Sequence, residues 1–341
     1  MTIEELKLHR LSGQYLLSPA PYHTVVRGLC GVQAQFLSNA FHALRIRSTD
    51  FDAVHPKGLI KSWTLRGTMH LFDEQDLPLM LYSKREHKLR LCDMLGADEY
   101  ITEERKRDFA DLIIASVQKG TFEREALRQI CFDNGMTETE EQSVFNSWGG
   151  LLRALCEAGK LTHEVSSRKA FVPCPPFEPM EREAAQLELM YRYLAHYGPA
   201  TVRDAAFFFK WTQSKVRQLI EQLEPQCLSC NGQFYYYIEG TPVVTDSMPA
   251  CIFLAGFDPL MLGYDKKDNL FLPEEHVRGI FNLAGIVYPA LLVHGRVMGR
   301  WKREGNKLTI TPFEAIAPED ADAIRAEAMR LWPHIKRVDG I

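Results

Sequence analysis

Two glutamines separated by one residue form the least ordinary polar constellation in the sequence. Gln33 and Gln35 lie between Val32 and Phe36, where an apolar helix end would be expected. Residues two apart project about 200° apart on a helix, so both amides face one pocket only where the chain is extended. A neutral amide does not titrate near neutral pH, so the pair can orient and stabilise a reactant but cannot exchange protons with it. Ordinary polarity at a helix turn explains the pair equally well.

Three short segments concentrate positive charge in a chain whose formal net charge is −4. Residues 45–66 hold five basic residues against two acidic ones, and residues 84–90 hold four against one. Residues 291–307 hold five against one, and His294-Gly295 inside them predicts a two-residue hairpin turn. The basic residues of this third segment are Arg296, Arg300, Lys302, Arg303 and Lys307. Such surfaces can bind phosphates, although a solvated strand face is the alternative for each.

Other catalytic signatures are missing from the sequence. It has no HExxH, P-loop, GxGxxG or Gly-x-Ser-x-Gly motif, so metalloprotease, NTPase, dinucleotide-dependent and hydrolase classes lose their usual support. Cys227 and Cys230 have zinc-like spacing, but no second Cys-x-x-Cys and no matching histidine pair accompanies them. We therefore expect neither a metal nor a cofactor.

The cellular setting is predicted from the cysteines and the apolar stretches. Eight cysteines are scattered among apolar neighbours, which is typical of reduced core thiols in a cytoplasm. The acidic N-terminus does not resemble a signal peptide. No apolar stretch approaches the roughly 20 residues of a membrane helix. We expect a cytoplasmic protein without a membrane partner.

The clearest structural unit spans residues 183–237. A helix is predicted over residues 184–197, and Thr201 and Thr212 are predicted to cap two further helices. Asn231-Gly232 then separates two strand-like runs, which is a strong hairpin signal. Three helices followed by a hairpin predict a winged helix-turn-helix.

The same order of three helices and a hairpin recurs earlier in the chain. Helices are predicted over residues 108–119, 122–132 and 140–156, with Thr121 capping the second, and a wing follows over residues 161–172. A weaker third copy has helices over residues 3–15, 22–29 and 37–46 and a wing over residues 62–72. Beyond residue 243 the chain is rich in strand-like runs and ends in a helix over residues 318–331.

These patterns predict an α+β fold of tandem winged helix-turn-helix domains followed by a strand-rich C-terminal unit. The predicted segments are residues 1–100, 101–180, 181–242 and 243–341. The first carries the two glutamines, and the last carries the basic hairpin and the final helix.

Five stretches taken together resemble the AlkZ-like winged-helix DNA glycosylases. They are GVQAQ (31–35), WTLRGTMHL (63–71), PATVRD (199–204), FDPLMLGY (257–264) and VHGRVMGRW (293–301). They cover nearly the whole chain in the expected order, and they are specific jointly rather than singly. The resemblance implies winged helices packed against a barrel-like unit to form a concave DNA-binding face. It also implies monofunctional excision of alkylated purines, and one branch of the family acts on interstrand crosslinks.

The resemblance also implies roles for individual residues. The family's catalytic Gln-x-Gln motif falls on Gln33 and Gln35. The turn at His294-Gly295 is expected to contact DNA, or to wedge into it, near the lesion. Arg45, Arg66, Arg296, Arg300, Lys302 and Arg303 are expected to contact DNA. Thr68, His70 and Asp258 match family motifs and are candidates for supporting the site, although Arg66 and Asp258 could instead pair and fix the packing.

The activity that the resemblance implies is compatible with amide chemistry. An N7-alkylpurine is already cationic and leaves without protonation, so amide oxygens need only stabilise the oxocarbenium-like sugar and a water molecule. The expected partner is double-stranded DNA carrying an alkylated purine. A non-enzymatic winged-helix regulator and a set of packing modules are the alternatives. The absence of an obvious dimerisation segment in the sequence favours a monomeric enzyme over a regulator.

Overall fold

The computed structural model of the chain describes residues 1–82, 101–147, 149–239 and 247–341. Within these residues the chain forms two compact units of mixed α+β structure. The first unit combines Met1–His55 with Gln186–Ile341, and the second is Pro56–Ala185. The predicted basic segment at residues 84–90 lies outside the described residues. The four-segment division drawn from the sequence stays a prediction.

The first unit begins with three short helices and an intervening extended stretch. They are α1 (Ile3–Gly13), α2 (Tyr22–Gly28), β1 (Val32–Gln33) and α3 (Leu37–Arg45). Thr2 and Glu5 form a reciprocal capping box at the start of α1, which satisfies backbone N–H groups that have no partner within the helix. The predicted helices of this region are confirmed apart from their last residues.

The clearest unit of the sequence forms as predicted. Its elements are α9 (Arg182–His196), α10 (Val202–Phe209), α11 (Gln213–Leu223), β6 (Gln226–Cys230) and β7 (Gln233–Tyr237). Thr201 caps α10 in a box with Asp204, and Thr212 caps α11. Asn231 and Gly232 both have positive φ at the turn between β6 and β7, the conformation that makes Asn-Gly favourable there.

The C-terminal strands of the first unit form one curled half-barrel sheet. Its strands are β8 (Cys251–Phe253), β9 (Ala290–Val293), β10 (Arg296–Glu304), β11 (Lys307–Pro312) and β12 (Arg337–Asp339), in the order β12-β11-β10-β9-β8. Two short helices, α12 (Pro259–Leu262) and α13 (Val277–Ile280), lie between β8 and β9. The final helix α14 (Pro318–Leu331) packs on this sheet, where Ile324 and Trp332 join Phe253 and Leu291 in one apolar core.

The second unit contains a sheet and a helical cluster. The strands β2 (Leu59–Trp63), β3 (Met69–Asp73), β4 (Leu161–His163) and β5 (Phe171–Pro173) pair antiparallel in the order β3-β2-β4-β5. The helices are α4 (Leu77–Met80), α5 (Glu103–Gln118), α6 (Arg124–Asp133), α7 (Glu138–Val144) and α8 (Gly150–Glu157). Phe109, Ile113, Leu127 and Leu155 lie in its buried core.

Two predictions for the second unit are wrong in detail. The single helix predicted over residues 140–156 is two helices, because Gly149 and Gly150 both have positive φ and interrupt the helical path. The Asn146 side chain accepts a hydrogen bond from the Gly150 N–H at 3.1 Å and supports the start of α8. The cap of α6 is Glu123 rather than Thr121.

Candidate active site

Gln33 lies on a short strand, and Gln35 lies in the bend between that strand and α3. After α2, Cys30 and Gly31 both have positive φ and redirect the chain into β1, which contains Gln33. Phe36 is also extended, with φ −120° and ψ 113°, before α3 begins at Leu37. Both glutamines therefore lie outside the helices, in the short connection between α2 and α3.

The two amides differ in their surroundings. Gln33 is buried, with 9% of its surface exposed, whereas Gln35 is exposed to solvent. Within the described residues the Gln35 side chain has no hydrogen-bond partner, so its donor and acceptor are available to a substrate. The neighbouring Val32 and Ala34 are fully buried and fix the backbone that carries the pair.

A buried ion pair holds the other end of α3. Arg47 donates to both carboxylate oxygens of Asp258, at 3.1 and 2.6 Å, and neither side chain is exposed. The guanidinium also donates to the carbonyls of Gln14 and Ala43. Charge-assisted bidentate pairs of this kind restrict orientation strongly. Arg47 therefore joins the end of α3 to the turn before α12.

This pairing corrects one alternative drawn from the sequence. Asp258 does not pair with Arg66, because its oxygens accept from Arg47 and from the backbone N–H groups of Ala255 and Leu260. Asp258 is thus a structural residue of the first unit. Sequence reasoning counted Arg47 only as one charge in a basic segment, and no local signal shows that it is buried.

A cleft with a cavity volume of about 780 Å³ opens beside the first turn of α3. We call it the β10 cleft. Its lining includes Ser38, Asn39 and His42 from α3, residues 300–304 of β10, Tyr288 and Trp332. Since α3 begins directly after Phe36, Gln35 lies just before the helical turn that lines the cleft.

Aromatic rings form part of this cleft and hold a neutral imidazole. His42 stacks on Trp332 with ring centroids 5.5 Å apart and meets Trp301 edge-on at 5.1 Å. Its Nε2 donates to the carbonyl oxygen of Phe253 at 2.7 Å. Burial lowers the pKa of His42 to about 4, so the ring is uncharged at neutral pH.

Three of the predicted DNA-binding cations of β10, Arg300, Lys302 and Arg303, line the β10 cleft, whereas the fourth, Arg296, does not. Arg300 lies over the Tyr288 ring at 4.9 Å, and Arg303 lies over the Trp332 ring at 5.7 Å. Neither has a carboxylate partner among the described residues. Lys302 forms an exposed pair with Glu304 at 2.6 Å. The structure thus places Arg300, Lys302 and Arg303 along one wall of the β10 cleft.

Arg296 is in a different environment. It donates to Glu314 at 2.6 Å and to Glu275 at 3.5 Å, and His276 also contacts Glu314 at 2.6 Å. Glu275, His276 and Glu314 are the one group among the described residues with the spacing of metal ligands. Because Arg296 donates to both carboxylates and His276 contacts one of them, the arrangement is that of an ion-pair network.

The predicted turn at His294-Gly295 is confirmed. His294 and Gly295 both have positive φ, and Arg296 pairs with Val293 across the turn. The His294 ring contacts the Asp320 carboxylate at 2.9 Å. Arg45 is exposed at the last position of α3.

The remaining predicted site residues lie in the second unit: Arg66 and Thr68 in the turn between β2 and β3, and His70 on β3. His70 is buried there; its Nδ1 lies 3.1 Å from the Thr68 carbonyl, and its Nε2 lies 3.3 Å from Arg66 Nη2. Burial, assisted by the Arg66 charge, lowers the pKa of His70 to about 3. The Thr68 hydroxyl donates to the Leu65 carbonyl. Of these three residues only Arg66 is charged, and their hydrogen bonds stabilise the turn between β2 and β3.

Two further predictions concern thiols and membranes. Cys227 is exposed and Cys230 is buried, both as free thiols on β6. Among the helices that the structure describes, none has the length and apolar character needed to cross a membrane.

Known proteins similar to this chain were found at the levels of family, sequence and structure. A family model described as DNA glycosylase AlkZ-like matches residues 26–333. The "Interstrand DNA cross-link repair glycosylase" of Streptomyces sahachiroi is 26% identical over 346 residues, covering 93% of this chain and 90% of that protein. The solved Streptomyces sahachiroi DNA glycosylase AlkZ superposes with a TM-score of 0.81 at 22% identity, covering 99% of this chain and 98% of its own.

Proposed function

This chain belongs to the AlkZ-like DNA glycosylase family and is a DNA N-glycosylase, and from that premise we propose that it excises cationic N-alkylated purines from duplex DNA. Family membership agrees with the resemblance found in the sequence. It argues against the alternative hypothesis that the protein is a non-enzymatic regulator. The substrate class, the roles of the two glutamines and the mechanism below are our proposal.

The proposed reaction breaks the bond between the sugar C1′ and the alkylated base. Both electrons of that bond go to the purine, which leaves as a neutral base because it was cationic in the substrate. The sugar becomes oxocarbenium-like, water adds to C1′, and its proton passes to solvent. No general acid is required for the departure of such a base.

Gln33 and Gln35 supply the electrostatic part of this mechanism. Their amide oxygens carry partial negative charge, which stabilises the developing sugar cation and orients the attacking water. The observation that carries the proposal is the exposed Gln35 amide, which has no hydrogen-bond partner among the described residues and lies just before the turn of α3 that lines the β10 cleft.

The β10 cleft supports binding of the DNA backbone beside these amides. Arg300, Lys302 and Arg303 line it, and together they offer a row of donors to phosphates. The aromatic rings under Arg300 and Arg303 hold the two guanidiniums in place. We further propose that three winged helices complete the DNA-binding face; the α9–α11 bundle and the β6–β7 hairpin have the element order of that motif.

Interstrand crosslinks through alkylated purines are the second proposed substrate. The relative of Streptomyces sahachiroi is named for cross-link repair. A crosslinked base cannot enter a closed pocket, and the β10 cleft is walled partly by exposed side chains such as Lys302. A cationic purine at the crosslink would leave by the same chemistry and unhook the strands.

The deciding experiment measures abasic-site formation, as strand cleavage after alkali, in a duplex with one N7-methylguanine. We expect product with the wild type and a single-turnover rate about 10²- to 10³-fold lower with the Gln33→Ala, Gln35→Ala double variant, because preorganised dipoles are lost. DNA affinity is expected to stay near the wild-type value.

Two controls sharpen this experiment. Gln118→Ala changes an exposed glutamine at the end of α5 and should leave the rate unchanged. A duplex carrying uracil should give no product, because uracil is a poor leaving group without protonation. Robust uracil excision, or a double variant as fast as the wild type, would contradict the proposed mechanism.

A further inference from the structure

A tight hairpin at residues 280–288 is held by its own hydrogen bonds. Tyr288 N–H donates to the Ile280 carbonyl at 2.9 Å, and Asn282 N–H donates to the Ile286 carbonyl at 3.0 Å. The Asn282 side chain accepts from the Ile286 N–H at 2.8 Å, and its amide donates to the Tyr288 hydroxyl at 3.3 Å. These four hydrogen bonds fix the conformation of this short loop and of its tip.

The tip of this hairpin presents an exposed leucine. Leu283 is 88% exposed, whereas Phe281 and Val287, which bridge across the hairpin, are each 4% exposed. A leucine in water forgoes the hydrophobic stabilisation that its burial would give. The backbone hydrogen bonds hold Leu283 away from the core formed by its neighbours, so an apolar contact is left unmade in the free protein.

The hairpin contacts residues near Gln35 on one side and the strand β10 on the other. The Phe257 N–H donates to the Val287 carbonyl at 3.2 Å, and the Phe257 ring contacts that of Phe36, with centroids 5.9 Å apart. On the other side, Tyr288 carries Arg300 over its ring. The loop is thus connected through Phe257 to Phe36, the residue after Gln35, and its own Tyr288 carries a proposed phosphate ligand, Arg300.

We propose that Leu283 inserts into the base stack of duplex DNA beside the damaged nucleotide. An apolar side chain between base steps is a recognised way to unstack and kink a duplex, and it would bury the exposed leucine against aromatic base faces. The inference rests on the proposed function for the identity of the damaged base. It assigns a role to a residue that takes no part in bond breaking.

Exposure of an apolar side chain is not by itself evidence for a wedge, and a second exposed apolar residue serves as a control. Val54 is 77% exposed in the first unit, where its backbone N–H donates to Asp52. Isolated exposed apolar residues are ordinary. Leu283 differs by its rigid hairpin and by its neighbours.

The test uses a duplex with 2-aminopurine next to an N7-methylguanine whose sugar carries a 2′-fluorine, which resists excision. We expect the wild type to raise 2-aminopurine fluorescence about severalfold on binding, because the base becomes unstacked. Leu283→Ala should lose most of that rise and excise normal N7-methylguanine about tenfold more slowly. Leu283→Phe should retain the rise, and Val54→Ala should match the wild type.

The outcomes separate this inference from the proposed function. Because Leu283 is exposed, its replacement leaves no cavity, and an unchanged unfolding midpoint will confirm the fold of each variant. A full fluorescence rise with Leu283→Ala, or none with the wild type, would overturn the wedge. A Leu283-dependent rise in a protein that excises nothing would keep the wedge and reject the proposed excision.

Discussion

The rings of His42, in the β10 cleft, and of His70, on β3, are neutral at physiological pH. Burial lowers the pKa of His42 to about 4, and burial with the Arg66 charge lowers that of His70 to about 3. Both rings release their protons well below the range in which the enzyme would work. The amides of Gln33 and Gln35 do not titrate at all. These residues therefore offer the proposed reaction no group that changes charge near neutrality.

The first prediction concerns the pH profile of excision. Since His42 and His70 are already deprotonated at pH 6 and stay so at pH 8, we expect the single-turnover rate on N7-methylguanine to vary less than about twofold across that window. The measurement is alkali-induced strand cleavage at fixed ionic strength, corrected for spontaneous depurination. A bell-shaped curve, or one steep step, would mean that a titrating residue performs the catalysis.

At the scale of elements, α3 connects the proposed chemistry with the core. Its first turn lines the β10 cleft, and Arg47 just beyond its end is tied to Asp258. The Asp258 carboxylate also accepts two backbone hydrogen bonds at the start of α12. Removing one partner of such a pair leaves a buried charge without compensation.

The second prediction therefore concerns stability. Asp258→Ala should lower the free energy of unfolding by about 3–5 kcal/mol, because the Arg47 guanidinium stays buried without its carboxylate. Asp322→Ala is the matched control: Asp322 pairs with Arg325, but its side chain is 81% exposed. An exposed pair contributes about 0–1 kcal/mol. Urea unfolding of the wild type and the two variants would measure both losses of stability. Equal losses would show that the buried pair contributes no more to stability than the exposed pair.

At the scale of the whole molecule, DNA binding has to work against a formal net charge of −4. Attraction to phosphates then depends on where the cations lie and on whether acids already neutralise them. Arg300 has no carboxylate partner among the described residues, whereas Arg296 contacts Glu314 and Glu275. Two arginines of one strand are thus expected to contribute differently, although the sequence alone treats them alike.

The third prediction uses this difference. Arg300→Ala should reduce the slope of log affinity against log salt by about 0.9, the value for one lost phosphate contact on B-DNA. Arg296→Ala should change the slope far less, because its guanidinium is held by carboxylates. Fluorescence anisotropy with an undamaged duplex between about 50 and 200 mM salt gives both slopes. Equal changes for the two variants would remove the distinction between the two groups of cations.

Much of the molecule was predictable because its signals are local. Thr201 and Thr212 cap their helices by bonding to N–H groups a few residues away, and Asn231-Gly232 turns because both residues tolerate positive φ. The break at Gly149-Gly150 was missed because the apolar spacing continues across it. The family could likewise be identified from five short stretches.

The tertiary structure alone decided which side chains meet. Arg47 and Asp258 are 211 residues apart in the chain, and the β10 cleft joins α3 to strands near the C-terminus. The low pKa of His42 results from burial, and the neutralisation of Arg296 depends on Glu314 across the fold. Capping and turn signals act over a few residues of chain, whereas burial and ion pairing depend on distances in space. The sequence by itself therefore determined the elements and the candidate amides, and folding decided which charges remain available to DNA.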